Sequence, residues 1–346
     1  MVKERVKRVS LPKLSLRLPY RAQTRFFLIP YLVATLVLVV IPAVATTMIA
    51  FTEFNAVGLP RFVGLANFQE LLRSSLVRTS LRNSAVFLVL AVPLRLVGAL
   101  GLALLLQQPQ RIFGFYRAAV YLPTVIPEAA YGLLWLWIFN PLYGPLNMLL
   151  GWFGIPGPAW LTEPTTARLA IVIMSLFQIG EGFVVLLAGL QNIPRSFYES
   201  AMVDGATSWQ SFWQITLPLL SPWLMLLTFR DLVMSLQNTF APSFIVTYGG
   251  PYYATTFAPL LIYELAFDYF ELGLAAALLI LTYVLLGLIV VGIVNLIGLG
   301  GVRMKHKFVQ GGRYVLASLV AVLFVTALLD FYGVIAAARI TTTDNY

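Results

Sequence analysis

Long apolar segments separated by short polar ones dominate this sequence of 346 residues. A helix that crosses the hydrocarbon core of a bilayer needs about 20 consecutive, mostly apolar residues. Runs of that length predict seven membrane spans, at about 26–51, 81–106, 117–139, 168–190, 219–246, 272–300 and 314–338. The third run is the least regular, because Pro123, Pro127 and Glu128 interrupt it.

The composition agrees with a membrane location. Hydrophobic residues make up 60% of the chain and charged residues only 11%, whereas about a quarter of a soluble domain is charged. We therefore predict an all-α polytopic membrane protein. The chain has no cysteine and a single histidine, His306. Because a zinc site needs three or four ligands, no metal site is expected.

Basic residues are concentrated at the N-terminus. Residues 1–25 contain eight Lys or Arg residues and one acidic residue, Glu4, within a chain of net charge +9. Topology and anionic lipid explain such a tail better than nucleic acid does. The apolar run that follows is too long for a signal peptide. We therefore predict a cytoplasmic N-terminus and an uncleaved first span, which places the Lys- and Arg-free segment 247–271 outside.

A polar island at 191–218 interrupts this apolar pattern. Ser196 stands three residues before Glu199, a spacing that predicts a capping box. A short helix over 197–203 is expected to follow. Gly205 would then close it, because glycine accepts the left-handed backbone conformation.

A second short helix is expected after this glycine. Ser208 is predicted to cap it, Leu217 to end it, and Pro218 to enter the first turn of the next span. The island thus predicts a hinged helical pair on the cytoplasmic side, and small side chains allow a partner protein to approach closely: Ser200, Ala201 and Ala206. A re-entrant or merely connecting loop is the other interpretation.

The island resembles the EAA motif in the cytoplasmic loop of bacterial ABC importer permeases. The residues that match are Glu199, Ala201 and Gly205, followed after nine residues by Ile215, Leu217 and Pro218. Only Ser200 departs from the motif, since alanine is usual at that position. Four further stretches are similar to the carbohydrate-uptake, maltose-type branch of the family: 62–68, 139–141, 187–194 and 249–251. The resemblance covers roughly 26–303.

This resemblance implies a type I ABC importer transmembrane fold. It implies a six-helix core at 26–303 with a coupling loop at 191–218, and an extra C-terminal helix and tail at 304–346. The residues that it implies for ATPase coupling are Glu199, Ser200, Ala201, Asp204, Gly205, Ala206, Ile215, Leu217 and Pro218.

The same resemblance implies a set of partners in a bacterial or archaeal cell membrane. These are a second permease subunit, two ATPase subunits, an extracytoplasmic solute-binding protein and a sugar. The sequence contains no Gly-x-x-x-x-Gly-Lys-Ser/Thr phosphate loop. We therefore expect a non-enzymatic chain that binds no cofactor itself, with ATP and Mg²⁺ held by the separate ATPases.

Polar residues within predicted spans indicate where a sugar binds, because ionisable groups in a membrane are costly and usually functional. Gln178 and Glu181 stand one helical turn apart, and the flanking Gly180 and Gly182 would leave room for a ligand. We predict that their shared face contacts sugar. A polar seam against the partner permease is the other interpretation.

Further candidates for the substrate pathway are Gln237, Asn238 and Glu128. The adjacent Arg230 and Asp231 point about 100° apart on a helix. They need not pair with each other, and a structural role is expected for them.

Two other function classes compete with the importer permease. An ion-coupled secondary transporter would work without an ATPase, but such proteins tend to contain inverted repeats, and no such match is found in this sequence. A membrane-bound sugar-modifying enzyme would need paired carboxylates beside a cleft, and no such pair is visible in the sequence.

Overall fold

The computed structural model describes residues 20–108 and 111–299. The predicted seventh span at 314–338 and most of the basic tail at 1–25 lie outside these described residues.

The first span is one long apolar helix. α1 (Tyr20–Thr35) continues through a π-helical turn (Leu36–Val40) into α2 (Ile41–Ile49). Most side chains of its apolar stretch are exposed within the chain, as expected for a helix that contacts lipid. A two-stranded antiparallel hairpin of β1 (Thr52–Glu53) and β2 (Arg61–Phe62) follows, and then α3 (Ala66–Arg73).

The second span, α4 (Ser75–Leu105), has 31 residues and begins where the Ser74 side chain accepts a hydrogen bond from the Val77 backbone N–H. A helix of this length extends about 46 Å, which exceeds the hydrocarbon thickness of about 30 Å. α4 therefore extends beyond the hydrocarbon core, and it begins before the predicted span at 81–106.

The next two spans are broken. α5 (Arg111–Tyr121) passes through a 3₁₀ turn (Leu122–Val125), and α6 (Glu128–Ile138) follows with a bend of 103°. The predicted span at 117–139 is therefore present only as a bent pair, because Pro123 and Pro127 end regular helix there.

The second broken span is less sharply bent. After α7 (Pro145–Trp152), α8 (Pro164–Leu176) and α9 (Gly180–Gln191) meet at 44°.

The chain then returns as a long helical run. α10 (Arg195–Val203) is followed by α11 (Ser208–Ser211), a π turn (Phe212–Thr216), α12 (Leu217–Gln237), α13 (Phe240–Pro242) and another π turn (Ser243–Thr247). Residues Ser208–Thr247 form one continuous 40-residue candidate span.

A last hairpin of helices completes the described chain. It consists of α14 (Ala258–Tyr263), a π turn (Glu264–Asp268) and α15 (Leu272–Leu299). Counting each bent pair once, the described residues provide up to six membrane crossings. This confirms an all-α, polytopic membrane fold.

α4 lies at the centre of this bundle and contacts α8, α9, α12 and α14. Ala99 on α4 packs with Phe183 and Leu186 of α9 and with Leu227 of α12. The small alanine lets these larger side chains approach the α4 backbone. This close packing brings the polar residues of α4, α9 and α12 together.

Candidate functional site

The polar island forms an exposed helix with a glycine closure. α10 begins at Arg195, with Pro194 as the residue that precedes it, and no side chain caps its start. The predicted capping box is therefore wrong, because Ser196 and Glu199 both lie inside the helix. Pro194 ends the previous segment in an extended conformation and sets the helix start one residue before Ser196.

The end of α10 is a Schellman motif. The backbone N–H of Ala206 donates to Ala201 O at 2.9 Å, and that of Gly205 donates to Met202 O at 3.1 Å. Gly205 has a φ of +78°. A Cβ added there would meet no atom within 4 Å, so the backbone angle rather than space requires glycine. The predicted glycine closure is confirmed.

The second half of the island differs from the prediction. Thr207, not Ser208, caps α11 through a capping box with Gln210. The helix does not end at Leu217, because the π turn carries it into α12, where Pro218 occupies the first turn. A proline there removes no needed hydrogen bond.

The residues predicted for coupling are accessible to different degrees. Met202 and Val203 add apolar surface to α10 and are 66% and 88% exposed. The buried hydroxyl of Thr216 lies 2.9 Å from the hydroxyl of Tyr198 and ties α10 to the start of α12. Glu199, Ser200, Asp204, Gly205 and Pro218 are exposed, whereas Ala201, Ala206, Ile215 and Leu217 are half-buried.

A polar recess lies where α4, α6, α8 and α12 meet. It encloses only about 10 Å³, room for about one water molecule, far below the roughly 300–1,000 Å³ typical of small-molecule pockets. Gln178 and Asn238, both predicted for the substrate pathway, line it. Its remaining lining residues are Phe87, Arg95, Tyr131, Ile171, Met174, Ser175 and Pro242.

The recess walls provide hydrogen-bonding groups in both directions. Tyr131 donates to the Met174 carbonyl at 2.6 Å, which leaves its oxygen as an acceptor. In the described part of the chain, the Nε of Arg95 is buried without a hydrogen-bond partner. Amides and a guanidinium can exchange hydrogen bonds with a polyhydroxylated ligand.

Glu181 does not share a face with Gln178, so that prediction is wrong. The helix breaks between Leu176 and Gly180, and Gln178 lies in the break. Glu181 instead forms an ion pair with Arg230.

The glycines beside Glu181 do not leave room for a ligand either. A Cβ at Gly180 would lie 2.8 Å from the Cα of Tyr121, and one at Gly182 would lie 3.6 Å from the Cβ of Ala99. Gly180 therefore serves close packing of the helix break against the end of α5.

The remaining predicted pathway residues lie outside the recess. The buried Nε2 of Gln237 has no hydrogen-bond partner among the described residues. Glu128 is exposed in the first turn of α6.

A network of four ionisable residues connects α4, α9 and α12. Asp231 Oδ1 lies 3.5 Å from Arg95 Nη2 and 3.5 Å from Arg230 Nη1. Arg230 also pairs with Glu181, and Arg95 donates to Ser235 Oγ at 3.1 Å. Arg230 and Asp231 therefore contact each other. Arg230 also pairs with α9 and Asp231 with α4, and the network contains two charges of each sign.

Sequence reasoning missed Arg95 and Tyr131 as recess residues. Arg95 was visible as an ionisable residue within a span, which is the signal that could have identified it. Tyr131 follows the bend after Pro127, and sequence alone does not give the direction of that bend.

The fold and this polar interior define an integral membrane subunit whose spans surround a hydrogen-bonding recess. Residues 96–299 match the family described as "Binding-protein-dependent transport system inner membrane component". The chain belongs to this family of ABC transporter permeases.

Curated relatives extend the similarity over most of the chain. The probable ABC transporter permease protein YesP of Bacillus subtilis is 35% identical over 271 residues, covering 76% of this chain and 86% of the relative. The trehalose/maltose transport system permease protein MalF of Thermococcus litoralis is 33% identical, covering 79% and 93%. The sn-glycerol-3-phosphate transport system permease protein UgpA of Agrobacterium fabrum is 34% identical, covering 72% and 85%.

A solved structure has the same fold. A bacterial ABC transporter involved in the import of the acidic polysaccharide alginate matches with a TM-score of 0.69 at 24% identity, covering 78% of this chain and 93% of the matched chain.

Proposed function

We propose that this chain forms half of the translocation pathway of an ATP-driven sugar importer. Its transmembrane domain would be residues 26–303, and the loop 191–218 would couple it to the ATPases. A second permease subunit would supply the other half of the pathway. Two ATPase subunits would hold ATP and Mg²⁺, and an extracytoplasmic solute-binding protein would deliver the sugar.

The observation that carries this proposal is the form of α10. This helix has an exposed apolar end at Met202 and Val203, and Gly205 ends it in the left-handed conformation. Tyr198 fastens it to the helix that leads into the spans. A displacement of α10 by a docked protein would therefore move α12, as rigid-body switching requires.

The recess supports a sugar pathway shared with another subunit. Gln178 and Asn238 project amides into it, and Arg95 adds a buried donor. The recess holds about one water molecule in this conformation, so the proposed pathway requires the spans to separate or a second permease to complete the recess. Relatives whose names include trehalose/maltose and sn-glycerol 3-phosphate transport support a polar, hydroxyl-rich solute.

The orientation that fits this function has a cytoplasmic N-terminus in a bacterial or archaeal inner membrane. The basic tail at 1–25 and the acidic, Lys- and Arg-free segment 247–271 support it. Residues 304–346 would add a peripheral helix and tail.

Two substitutions of Gly205 test the coupling role. Proline fixes φ near −65° and cannot adopt the observed left-handed conformation, whereas asparagine tolerates it. In the full chain expressed in its host, Gly205→Pro is expected to lose the co-purifying ATPase and ATP-driven uptake while the subunit remains in the membrane. Gly205→Asn is the matched control and is expected to keep both.

Unaltered uptake by Gly205→Pro, or uptake that needs no ATPase and follows an ion gradient, would contradict the proposal. The latter result would favour the ion-coupled secondary transporter.

A further inference from the structure

α7 and the residue that ends it present an apolar face to the outside of the chain. Helical spacing places Met148, Leu149, Trp152 and Phe153 on one side of this element. Trp152 and Phe153 are 80% and 79% exposed, and Met148 and Leu149 are exposed as well. We call these four residues the α7 apolar face. An exposed apolar patch indicates contact with another protein or with a membrane.

The opposite side of α7 is fixed to the bundle by Asn147. Its Oδ1 accepts a hydrogen bond from Trp160 Nε1 at 2.7 Å. Its Nδ2 donates to the carbonyls of Pro141 and Pro158 at 3.2 and 3.3 Å. The Trp160 ring lies 5.5 Å from the ring of Phe139, a fully buried residue directly after α6. These contacts determine which side of α7 points away from the chain.

α7 lies at the end of the membrane crossings. Residues 139–144 alone separate it from α6. The chain turns back tightly there, since a Cβ added to Gly144 would lie 2.5 Å from the carbonyl oxygen of Ile138, the last residue of α6. α8 and α9 then form one candidate crossing. α7 is therefore close to the level at which α6 leaves the bilayer, on the side opposite the loop at 191–218.

The charge pattern distinguishes α7 from the other segments on its side of the membrane. Residues 139–162 contain no charged residue. In contrast, residues 52–74 contain two acidic and two basic residues, and residues 247–271 contain three acidic ones. Tryptophan and tyrosine are typical of the boundary between membrane and water, and Tyr143 and Trp152 are both exposed in the uncharged segment. This composition favours lipid rather than water as the neighbour of the α7 apolar face.

A transient protein partner explains the α7 apolar face less well than lipid does. Surfaces at which separable proteins meet are about as polar as the rest of a protein surface. If such a partner covered this face, two large aromatic rings would be exposed to water whenever the partner was absent. Lipid, in contrast, is always present and buries the apolar face of an interfacial helix by about 5–10 Å.

We propose that α7 lies in the plane of the membrane–water interface, with its apolar face inserted among phospholipid headgroups and acyl chains. Its eight residues measure about 12 Å, which is enough to lie along the surface and too short to span it. Asn147 connects α7 to the ends of α6 and α8, which supply Tyr131 and Ser175 to the recess. α7 thus anchors one wall of the recess to the membrane, whichever solute is carried.

Spin labelling of α7 tests this placement. The chain contains no cysteine, so that a single introduced cysteine is the one site of attachment. Leu149→Cys places a nitroxide on the α7 apolar face. Gly151→Cys is the matched control: position 151 is exposed, about 160° around the helix from position 149, and a Cβ there meets no atom within 4 Å. The full chain, with the subunits that co-purify with it, is reconstituted in vesicles of phosphatidylethanolamine and phosphatidylglycerol.

The measurement compares how strongly two agents relax each nitroxide: oxygen, which concentrates in the bilayer, and a water-soluble nickel chelate. We expect oxygen to dominate severalfold at position 149 and nickel to dominate at position 151. Nickel dominance at both positions would place the face in water and overturn the inference. An immobilised nitroxide at position 149 that neither agent reaches would assign the face to a second permease or a solute-binding protein, and would overturn it too.

Trp152 allows an independent measurement without a label. Lipids that carry bromine in the upper part of their acyl chains quench tryptophans at the boundary. We expect Trp152→Phe to lower the fraction of the fluorescence of the chain that these lipids quench. Trp135→Phe is the control, because Trp135 is buried, and its loss should not lower that fraction. Equal quenching of Trp152→Phe and the unsubstituted chain would contradict the lipid contact.

Discussion

The side-chain hydroxyls of Tyr198 and Thr216 lie 2.9 Å apart and join α10 to the π turn that precedes α12. Thr216 is buried, whereas the helix that carries Tyr198 has many exposed side chains. The hydrogen bond therefore connects a surface element to an element packed within the spans.

Tyr198→Phe removes this hydrogen bond and keeps the ring. Under the proposed coupling role, a net hydrogen-bond energy of about 0.5–1.5 kcal/mol predicts about a 2- to 10-fold drop in solute molecules imported per ATP hydrolysed. The measurement is uptake and ATP hydrolysis in the same proteoliposomes. The double variant with Thr216→Val should show no further drop, since both changes remove one interaction. An unchanged ratio in Tyr198→Phe would refute the link.

The two carboxylates of the ionic network should differ strongly in their effect on stability. Asp231 is buried against the buried Arg95, and its side chain is 7% exposed. Asp231→Asn leaves that guanidinium without its counter-charge, which costs about 3–5 kcal/mol. Glu181 is half exposed, so that Glu181→Gln should cost about 0–1 kcal/mol.

Thermal unfolding of the detergent-solubilised chain measures both effects. The double variant Arg95→Met with Asp231→Leu is the control, and it should recover most of the stability because no buried charge remains. Equal losses for Asp231→Asn and Glu181→Gln would show that Arg95 is not the cause.

Gly180 and Gly182 form a matched pair for testing close packing at the helix break. An alanine Cβ at Gly180 would lie 2.8 Å from the Tyr121 Cα, a backbone atom. Overpacking of this kind costs about 1–3 kcal/mol. At Gly182 the nearest atom is 3.6 Å away, which is an ordinary contact. We expect Gly180→Ala to lower the unfolding temperature and Gly182→Ala to leave it nearly unchanged, and the reverse order would refute this account.

Glu264 should give the protein an acid-dependent stability. Burial, and to a smaller extent the Asp268 carboxylate, raise the pKa of Glu264 above its ordinary value. The folded chain then binds the proton more tightly than the unfolded chain does. This contribution to stability is fully present below the ordinary pKa of glutamate, about 4.3, and is lost as the pH rises through the raised pKa of Glu264.

Glu264→Gln should remove this loss of stability at higher pH. The unfolding temperature of the variant, relative to the unsubstituted chain, is expected to rise as the pH increases through this window. Glu271→Gln, which removes one negative charge from the same segment, is the control. Identical pH profiles for Glu264→Gln and the unsubstituted chain would contradict the prediction.

Apolar length was enough to predict most of the membrane crossings. The runs at 26–51 and 272–300 correspond to Leu28–Ile49 and Leu272–Gly292, because about 20 apolar residues have few alternatives to a spanning helix. The 103° bend between α5 and α6 could not be predicted in the same way. Pro123 and Pro127 indicate a break in the helix, but packing against α8 and the later helices fixes the direction of the bend.

The candidate site was only partly predictable for a related reason. Gln178 and Asn238 were identified because polar side chains in a span are costly. The contact of Arg95 with Asp231 joins residues 136 positions apart, so no local pattern contains it. Thr207 escaped prediction as the cap because Ser208 beside it is an equally good capping residue.

The helical run from Ser208 to Thr247 has a mechanical consequence. Its forty residues measure about 60 Å, but two π turns and the step at Asn238 and Thr239 divide them into shorter segments. Helices bend at such interruptions. A displacement at Trp209 would therefore tilt α12 first, and the step before Phe240 would set how much of that tilt reaches Phe244.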